Sequence, residues 1–314
     1  MSDETLPVAE RSAPPDGANL PFRCGYIALV GRPNVGKSTL LNAIIGQKLS
    51  IVTRRPQTTR HQLLGIHTTA DAQMLFVDTP GMHLGQKKAL NRYMNRVADN
   101  ALEGVDVAVM VVEALRWGPE DDNVLARIRS HGVRAILAVN KVDRMRHRDE
   151  LLPFIAAHSQ DFEFSDVVPI SARNKTNLDS LHDCMMLHLP ARVAEFPEDQ
   201  ITDKSVRFLC AEAVREKLTR RLGQELPYGL GVQIEEFDEQ PGLTTIGAII
   251  WIERSSHKPI VIGKGGKNLK EVGREARADI EAMIEKHVFL RLWVKVREGW
   301  ANDERALQQL GYRD

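Results

Sequence analysis

Cysteine is scarce in this chain of 314 residues: Cys24, Cys184 and Cys210 lie far apart and form no CxxC pair. That excludes a disulfide framework and a cysteine-built zinc site, and it makes a reducing cytoplasm the expected compartment. Net charge is absent too, with 42 Lys and Arg against 42 Asp and Glu. No global field draws the chain to an anionic partner, so any affinity for nucleic acid has to come from local clusters. Long apolar runs are also missing, and no stretch approaches the ~18 apolar residues that span a bilayer. The opening MSDETLPVAERSAPPDGANLP has neither a cationic start nor an apolar core, so no signal peptide is expected there. Its proline, alanine and acid content predicts a disordered tail over residues 1–21.

What the chain does have is enough length and apolar content, 43%, for two domains with separate cores. From Tyr26 onward, short Val/Ile/Leu runs alternate with helical periods. YIALV, MLFVD, DVAVMVVEA, RAILAVN and DVVPISA read as strands, and STLLNAIIG, DNVLARIRSHG and NLDSLHDCMMLHLP as helices. That alternation predicts an α/β domain over residues 22–190, a mostly parallel sheet flanked by helices. Prolines and acids punctuate PARVAEFPEDQITD, which places a linker at residues 191–203. Residues 204–300 then read α-β-β-α-α-β, a smaller α+β domain, with residues 301–314 as a C-terminal tail. In its first helix Val206, Leu209, Cys210, Ala213, Val214, Leu218 and Leu222 share one face, and near its end Leu269, Val272, Ala276, Ile280, Met283 and Ile284 form a second core stripe. The alternating LRLWVKVRE is expected as an edge or half-buried strand, with burial preferred for Trp293 over stacking on a base.

Residues 31–39, GRPNVGKST, fit the G-x-x-x-x-G-K-[ST] pattern, which a chain this long matches by chance with a probability of about one per cent. The motif follows a strand and opens a helix, as a phosphate cradle must. Gly31, Arg32, Pro33, Asn34, Val35 and Gly36 would wrap the phosphates, and Lys37 would reach their β and γ oxygens. Ser38 would ligate magnesium beside Thr39. Asp78, Thr79, Pro80 and Gly81 form a second strand-end loop; there Asp78 would hold magnesium through water and the Gly81 N–H would sense the γ-phosphate. The third loop, Asn140, Lys141, Val142 and Asp143, selects the base, because a carboxylate can accept from both N1–H and the 2-amino group of guanine, and adenine offers neither donor. Ser171 and Ala172 end the next strand, with the Ala172 N–H directed to the guanine O6.

Four such loops in this order resemble the translation-factor-related class of P-loop GTPases. The resemblance implies that a Thr in RRPQTTRHQ, residues 54–62, completes the magnesium shell; Thr58 and Thr59 both qualify, and Thr59 is preferred. Ras-like enzymes place a water-orienting Gln after the DxxG turn, whereas Met82 stands here, followed by His83. That departure narrows the resemblance to GTPases with a hydrophobic residue at this place. In several of these a potassium ion is ligated by the cradle Asn, here Asn34. The implied catalytic set is Lys37, Asn34, Thr59 and Gly81, acting on GTP with Mg2+ and K+.

IVIGKGGKNLKEVG resembles a K homology domain, whose G-x-x-G loop, here Gly263, Lys264, Gly265 and Gly266, presses against a nucleic-acid backbone. Lys258, Lys264, Lys267, Lys270 and Arg274 set five positive charges near it against Glu271. The element order matches the type II form of that domain. One GTPase domain followed by a type II K homology domain, with QTTRH, RWGPED, ITDKSVRF and ELPY, resembles the Era family of bacterial ribosome-assembly GTPases. That resemblance implies a cytoplasmic monomer that binds 16S rRNA near its 3′ end and acts in assembly of the 30S subunit, with a peripheral inner-membrane contact and a link to cell-cycle regulation. The competing expectation is an RNA-binding module for which GTP is only a ligand switch.

Overall fold

The computed structural model describes residues 21–53, 55, 58–81, 89–160, 162–222, 229–303 and 307. Residues 1–20 of the expected tail, and Met82 with His83, lie outside the described residues.

The first domain is built on a six-stranded sheet of order β2-β3-β1-β4-β5-β6. Its strands are β1 (Arg23–Val30), β2 (Leu63–Thr68), β3 (Ala72–Asp78), β4 (Val107–Glu113), β5 (Ala135–Asn140) and β6 (Asp166–Pro169). All neighbours pair in parallel except β2 with β3. Every residue of β3, β4 and β5 is buried, which is why these strands read as mostly apolar runs. Successive side chains leave the sheet on opposite faces. Ile27, Leu29, Val109 and Ile136 therefore pack under α1 (Lys37–Ile45) and α5 (Leu178–His188), while Ala28, Met110, Leu137 and Val139 pack against α3 (Pro119–His131).

Three elements of this domain are absent from the sequence expectation. Strand β2 is six residues long and gains its order from antiparallel pairing with β3, from Leu63 opposite Asp78 to Thr68 opposite Gln73. Helix α2 (Ala89–Asn100) buries Leu90, Tyr93, Met94 and Val97 on one face, a helical spacing that its Asn- and Arg-rich remainder masks. Helix α4 (Leu151–His158) carries Pro153 in its first turn, where proline is tolerated but reads as a breaker. Residues 191–203 do not hang free. Gln73 Oε1 accepts from the Glu195 and Phe196 N–H groups at 2.8 and 3.0 Å, and Ile66 N donates to Ile201 O at 2.9 Å.

The second domain follows the expected order: α6 (Val206–Arg221), β7 (Leu230–Gln240), β8 (Leu243–Ile252), α7 (Lys258–Ile262), α8 (Lys267–Ile284) and β9 (His287–Val296). Its sheet runs β7-β8-β9, with β9 parallel to β8. Cys210, Val214 and Leu218 of α6, with Leu222 just past its end, join Val272, Ala276 and Ile280 of α8 in one core. Two residues of the expected α6 stripe behave differently. Val206 is 45% exposed at the helix start, and Leu209 packs with Phe208 against the core of the first domain. Trp293 also departs from expectation: it is 41% exposed on edge strand β9, with the Arg291 guanidinium 5.5 Å from its ring. Past β9, Trp300, Ala301 and Leu307 are buried against α2, so this part of residues 301–314 is packed rather than loose.

Candidate functional site

The C-terminal ends of β1, β3 and β5 and the segment after β6 converge on one side of the sheet, the position at which open α/β sheets bind ligands. The cradle joins β1 to α1. Gly36 is left-handed (φ 112°), and a Cβ there would lie 2.3 Å from Asn140 Nδ2, so only glycine fits. Asn34 also adopts the left-handed region, at φ 62°, which its short polar side chain tolerates. Helix α1 starts at Lys37, leaving its first N–H groups to face the cradle. Gly81 lies against Pro33, whose backbone N would be 2.9 Å from a Cβ at that position. A cavity of about 1490 Å3 opens over the cradle, and its wall runs from Gly81 through Lys37, Ser38 and Thr39 to Lys141 and Arg144, which flank Asp143 in sequence.

Lys37 is buried and donates to the carbonyls of Gly31 at 2.8 Å and Arg32 at 3.1 Å. Burial pushes its ammonium down to about 8, against the pull of Asp78. Between pH 8 and the ordinary value of 10.5 the unfolded chain holds this proton more tightly, so the nucleotide-free protein gains stability from this group as pH rises through that window. A bound triphosphate returns the missing negative charge, so nucleotide binding is expected to take up a proton near pH 8–9 and to weaken above pH 8. Titration calorimetry in two buffers of different ionisation heat measures the uptake, and equal apparent heats in both would contradict it.

The three residues expected to hold magnesium come together. Ser38 Oγ lies 2.8 Å from Thr59 Oγ1 and donates to Asp78 Oδ2 at 3.0 Å. Thr58 turns elsewhere, donating to Arg55 O at 2.7 Å. Asp78 is fully buried, and burial raises its carboxyl above the ordinary range. Its Oδ1 has no hydrogen-bond partner among the described residues. A buried carboxylate oxygen left over beside two hydroxyls fits an oxygen-seeking divalent cation such as Mg2+. Thr79 does not join this set, since its hydroxyl points inward to Leu29 O at 3.0 Å.

Asn140 ties the base loop to the cradle, donating to Val35 O at 2.8 Å and accepting from the Lys141 and Ala172 N–H groups at 2.8 and 3.0 Å. The Ala172 N–H is thus shared with Asn140, and a base O6 would have to enter as a second acceptor. Asp143 is exposed and accepts from Ser171 Oγ at 2.6 Å. Lys141 spans back to Asn34 O at 2.7 Å and Glu113 at 2.6 Å. Burial disfavours the charged Glu113, but Lys141 outweighs it and holds the carboxyl below its ordinary value. Sequence reasoning missed Glu113, and also Ser50, whose hydroxyl donates to Asp78 Oδ2 at 2.8 Å. Neither sits in a motif; only the fold brings them in.

In the second domain the GKGG turn joins α7 to α8. Gly263, Gly265 and Gly266 all have positive φ, at 77°, 61° and 77°. A Cβ at Gly263 would meet Asn268 Cβ at 2.7 Å, whereas Gly265 and Gly266 face open space. Lys258, Lys264, Lys267 and Lys270 are exposed, and no carboxylate among the described residues pairs with them. Arg274 is neutralised in part by Glu271 at 2.7 Å. No helix among the described residues is long and apolar enough to cross a membrane.

Known proteins share this arrangement. A family model described as "50S ribosome-binding GTPase" matches residues 26–141, and one described as "KH domain" matches residues 225–301. The chain is 53% identical over 296 residues to the GTPase Era of Pseudomonas putida (strain W619), covering 94% of this chain and 99% of that relative. To GTPase Era of Marinobacter nauticus it is 52% identical over 292 residues, 93% and 96% of the two chains. Among solved structures, Era in complex with MgGDPNP and nucleotides 1506–1542 of 16S ribosomal RNA matches with a TM-score of 0.91 at 37% identity, covering 93% of this chain and 100% of that one. A single-substitution variant of Aquifex aeolicus Era, bound to GDP.AlF4-, matches with the same score, identity and coverage. With both domains matched and the strand-end loops in place, the chain belongs to the Era family of GTPases.

Proposed function

We propose that this GTPase uses its nucleotide state to control an RNA clamp, binding 16S rRNA near its 3′ end and acting in 16S rRNA processing and 30S subunit biogenesis. The observation that carries the proposal is the GKGG turn: left-handed glycines open to solvent beside four lysines without a carboxylate partner among the described residues, in the same chain as the nucleotide loops. Nucleotides 1506–1542 of 16S rRNA are bound by the Era of the solved complex, and the lysine cluster here suits such a backbone. Gly263 to Gly266, with Lys258, Lys264, Lys267, Lys270 and Arg274, form the RNA contact.

In the first domain, the α1 N-terminus and Lys37 hold the β- and γ-phosphates, and Asp143 and Ala172 read the guanine. Ser38, Thr59 and Asp78, the last through water, are the magnesium residues; the ion supplies positive charge at the phosphates being cleaved. The Gly81 N–H contacts the γ-phosphate. Asn34 would hold a potassium ion, which would add positive charge where other GTPases borrow an arginine.

Single-turnover GTP hydrolysis, with and without RNA and in potassium against sodium at equal ionic strength, tests this chemistry. Hydrolysis is expected to run faster in potassium and with RNA, and Asn34→Ala to erase the salt difference. Equal rates in both salts would overturn the potassium site; turnover unaffected by RNA would favour GTP as a mere ligand switch. The proposal includes a monomer in the cytoplasm with a peripheral inner-membrane contact and a cell-cycle link. Cell fractionation checks the membrane part, and protein absent from the membrane pellet would remove it.

A further inference from the structure

Helix α6 of the second domain lies along the loop that carries Thr59. Glu216 is fully buried there and accepts from the Val52 N–H at 3.1 Å and from Arg220 at 2.8 Å, with Lys48 as a third partner. Arg220 in turn donates to Val52 O, through Nε at 3.3 Å and Nη2 at 2.9 Å. The N–H and the C=O of Val52 are thus both held by one helical turn of the other domain. At the far end of the loop, Arg215 donates to Thr58 O and is itself gripped by both carboxylate oxygens of Glu212, at 2.7 and 2.6 Å.

The two held residues lie just inside the two residues whose hydroxyls matter. Ser50, two residues before Val52, donates to Asp78. Thr59, next to Thr58, touches Ser38. A buried carboxylate that loses its partners is costly, so Glu216 and the loop are expected to stay together as long as α6 stays docked. Arg220 also forms part of the wall of the nucleotide cavity.

We propose that Arg215, Glu216 and Arg220 are positioning residues for magnesium-dependent GTP hydrolysis: α6 fixes Val52 and Thr58, and through them sets Ser50 and Thr59 against Asp78 and Ser38. The inference rests on the magnesium roles proposed above for Ser38, Thr59 and Asp78. It makes the RNA-binding half a working part of the hydrolytic site, so any displacement of α6 loosens both ends of the loop at once.

The test uses the full chain with Arg220→Ala, Arg220→Lys and Glu216→Gln. Arg220 is half exposed, so its variants are expected to fold, and thermal melting checks this. Single-turnover hydrolysis is measured across magnesium concentrations, alongside GDP affinity without magnesium. Misplacing the loop is expected to lower the saturating rate of Arg220→Ala about tenfold and to raise the half-saturating magnesium concentration. GDP affinity without magnesium is expected to stay within about twofold of the parent in folded Glu216→Gln, because Glu216 is not part of the cavity wall and acts through Val52 and not on the nucleotide. Arg220→Lys should recover part of the loss, since an ammonium can still donate to Val52 O. Unchanged rate and magnesium midpoint in folded Arg220→Ala and Glu216→Gln would overturn the inference. A parent that hydrolyses GTP without any magnesium dependence would remove the magnesium roles first and this inference with them.

Discussion

Asp143→Asn is expected to convert a guanine site into one that prefers xanthine. The Asp143 carboxylate is exposed in the turn after β5 and oriented by the Ser171 hydroxyl at 2.6 Å. It can accept from both the N1–H and the 2-amino group of guanine. An amide in its place accepts at one atom and donates at the other, so one of those base donors meets a donor. Sites built to pair a polar edge reject the mismatched edge by large factors, and a loss of GTP affinity of roughly a thousandfold is expected. Xanthine carries a carbonyl at position 2, which the new amide can reach as a donor. Asn140, tied to Val35 and Ala172, is untouched, so the loop should keep its form. Equilibrium titration with guanosine and xanthosine triphosphates measures the change. Full GTP affinity in the variant would show that Asp143 does not read the base.

The second large effect is expected in the other domain. Replacing Lys264 and Gly265 by two aspartates removes one positive charge and adds two negative ones at the clamp. Gly265 is left-handed (φ 61°), but no atom lies within 4 Å of the added Cβ, and Asp tolerates this region better than most residues. Gly263, which does need to be glycine for space, stays intact. Neither position belongs to the core of α6, α8 and the sheet, so folding and GTP binding should survive. RNA affinity is expected to fall roughly ten- to a hundredfold at low salt, and the slope of log affinity against log salt to flatten by about one as phosphate contacts are lost. RNA titration at two salt concentrations measures both, with circular dichroism and nucleotide binding as controls. Unchanged RNA affinity in a folded, GTP-binding variant would reduce GKGG to a plain turn.

What the sequence discloses about this protein follows from how local each signal is. The cradle is legible because its glycines, Lys37 and Ser38 must occupy one strand-to-helix junction in fixed order. The buried strands β3, β4 and β5 are legible because burial on both faces leaves them mostly apolar without alternation. Strand β2 is not, since its order comes from β3 and not from its own six residues. Thr58 and Thr59 cannot be told apart by spacing; the hydrogen bond to Ser38 separates them. Leu209 shows the limit of periodicity, which marks a residue as apolar-facing but not which of two cores it faces. Glu216 and Arg220 read as an ordinary charged helical surface, and their partners at Val52 lie 164 and 168 residues away. Contacts at that separation leave no pattern in one sequence.

The central claim is that the nucleotide in the first domain sets the availability of the clamp in the second. The most direct test is titration of RNA containing the 3′ end of 16S rRNA into the full chain with magnesium and either a non-hydrolysable GTP analogue or GDP, at fixed salt. The account predicts tighter binding with the GTP analogue than with GDP, and no such difference in the Lys264→Asp, Gly265→Asp variant. Equal RNA affinity of the parent protein in both nucleotide states would contradict it.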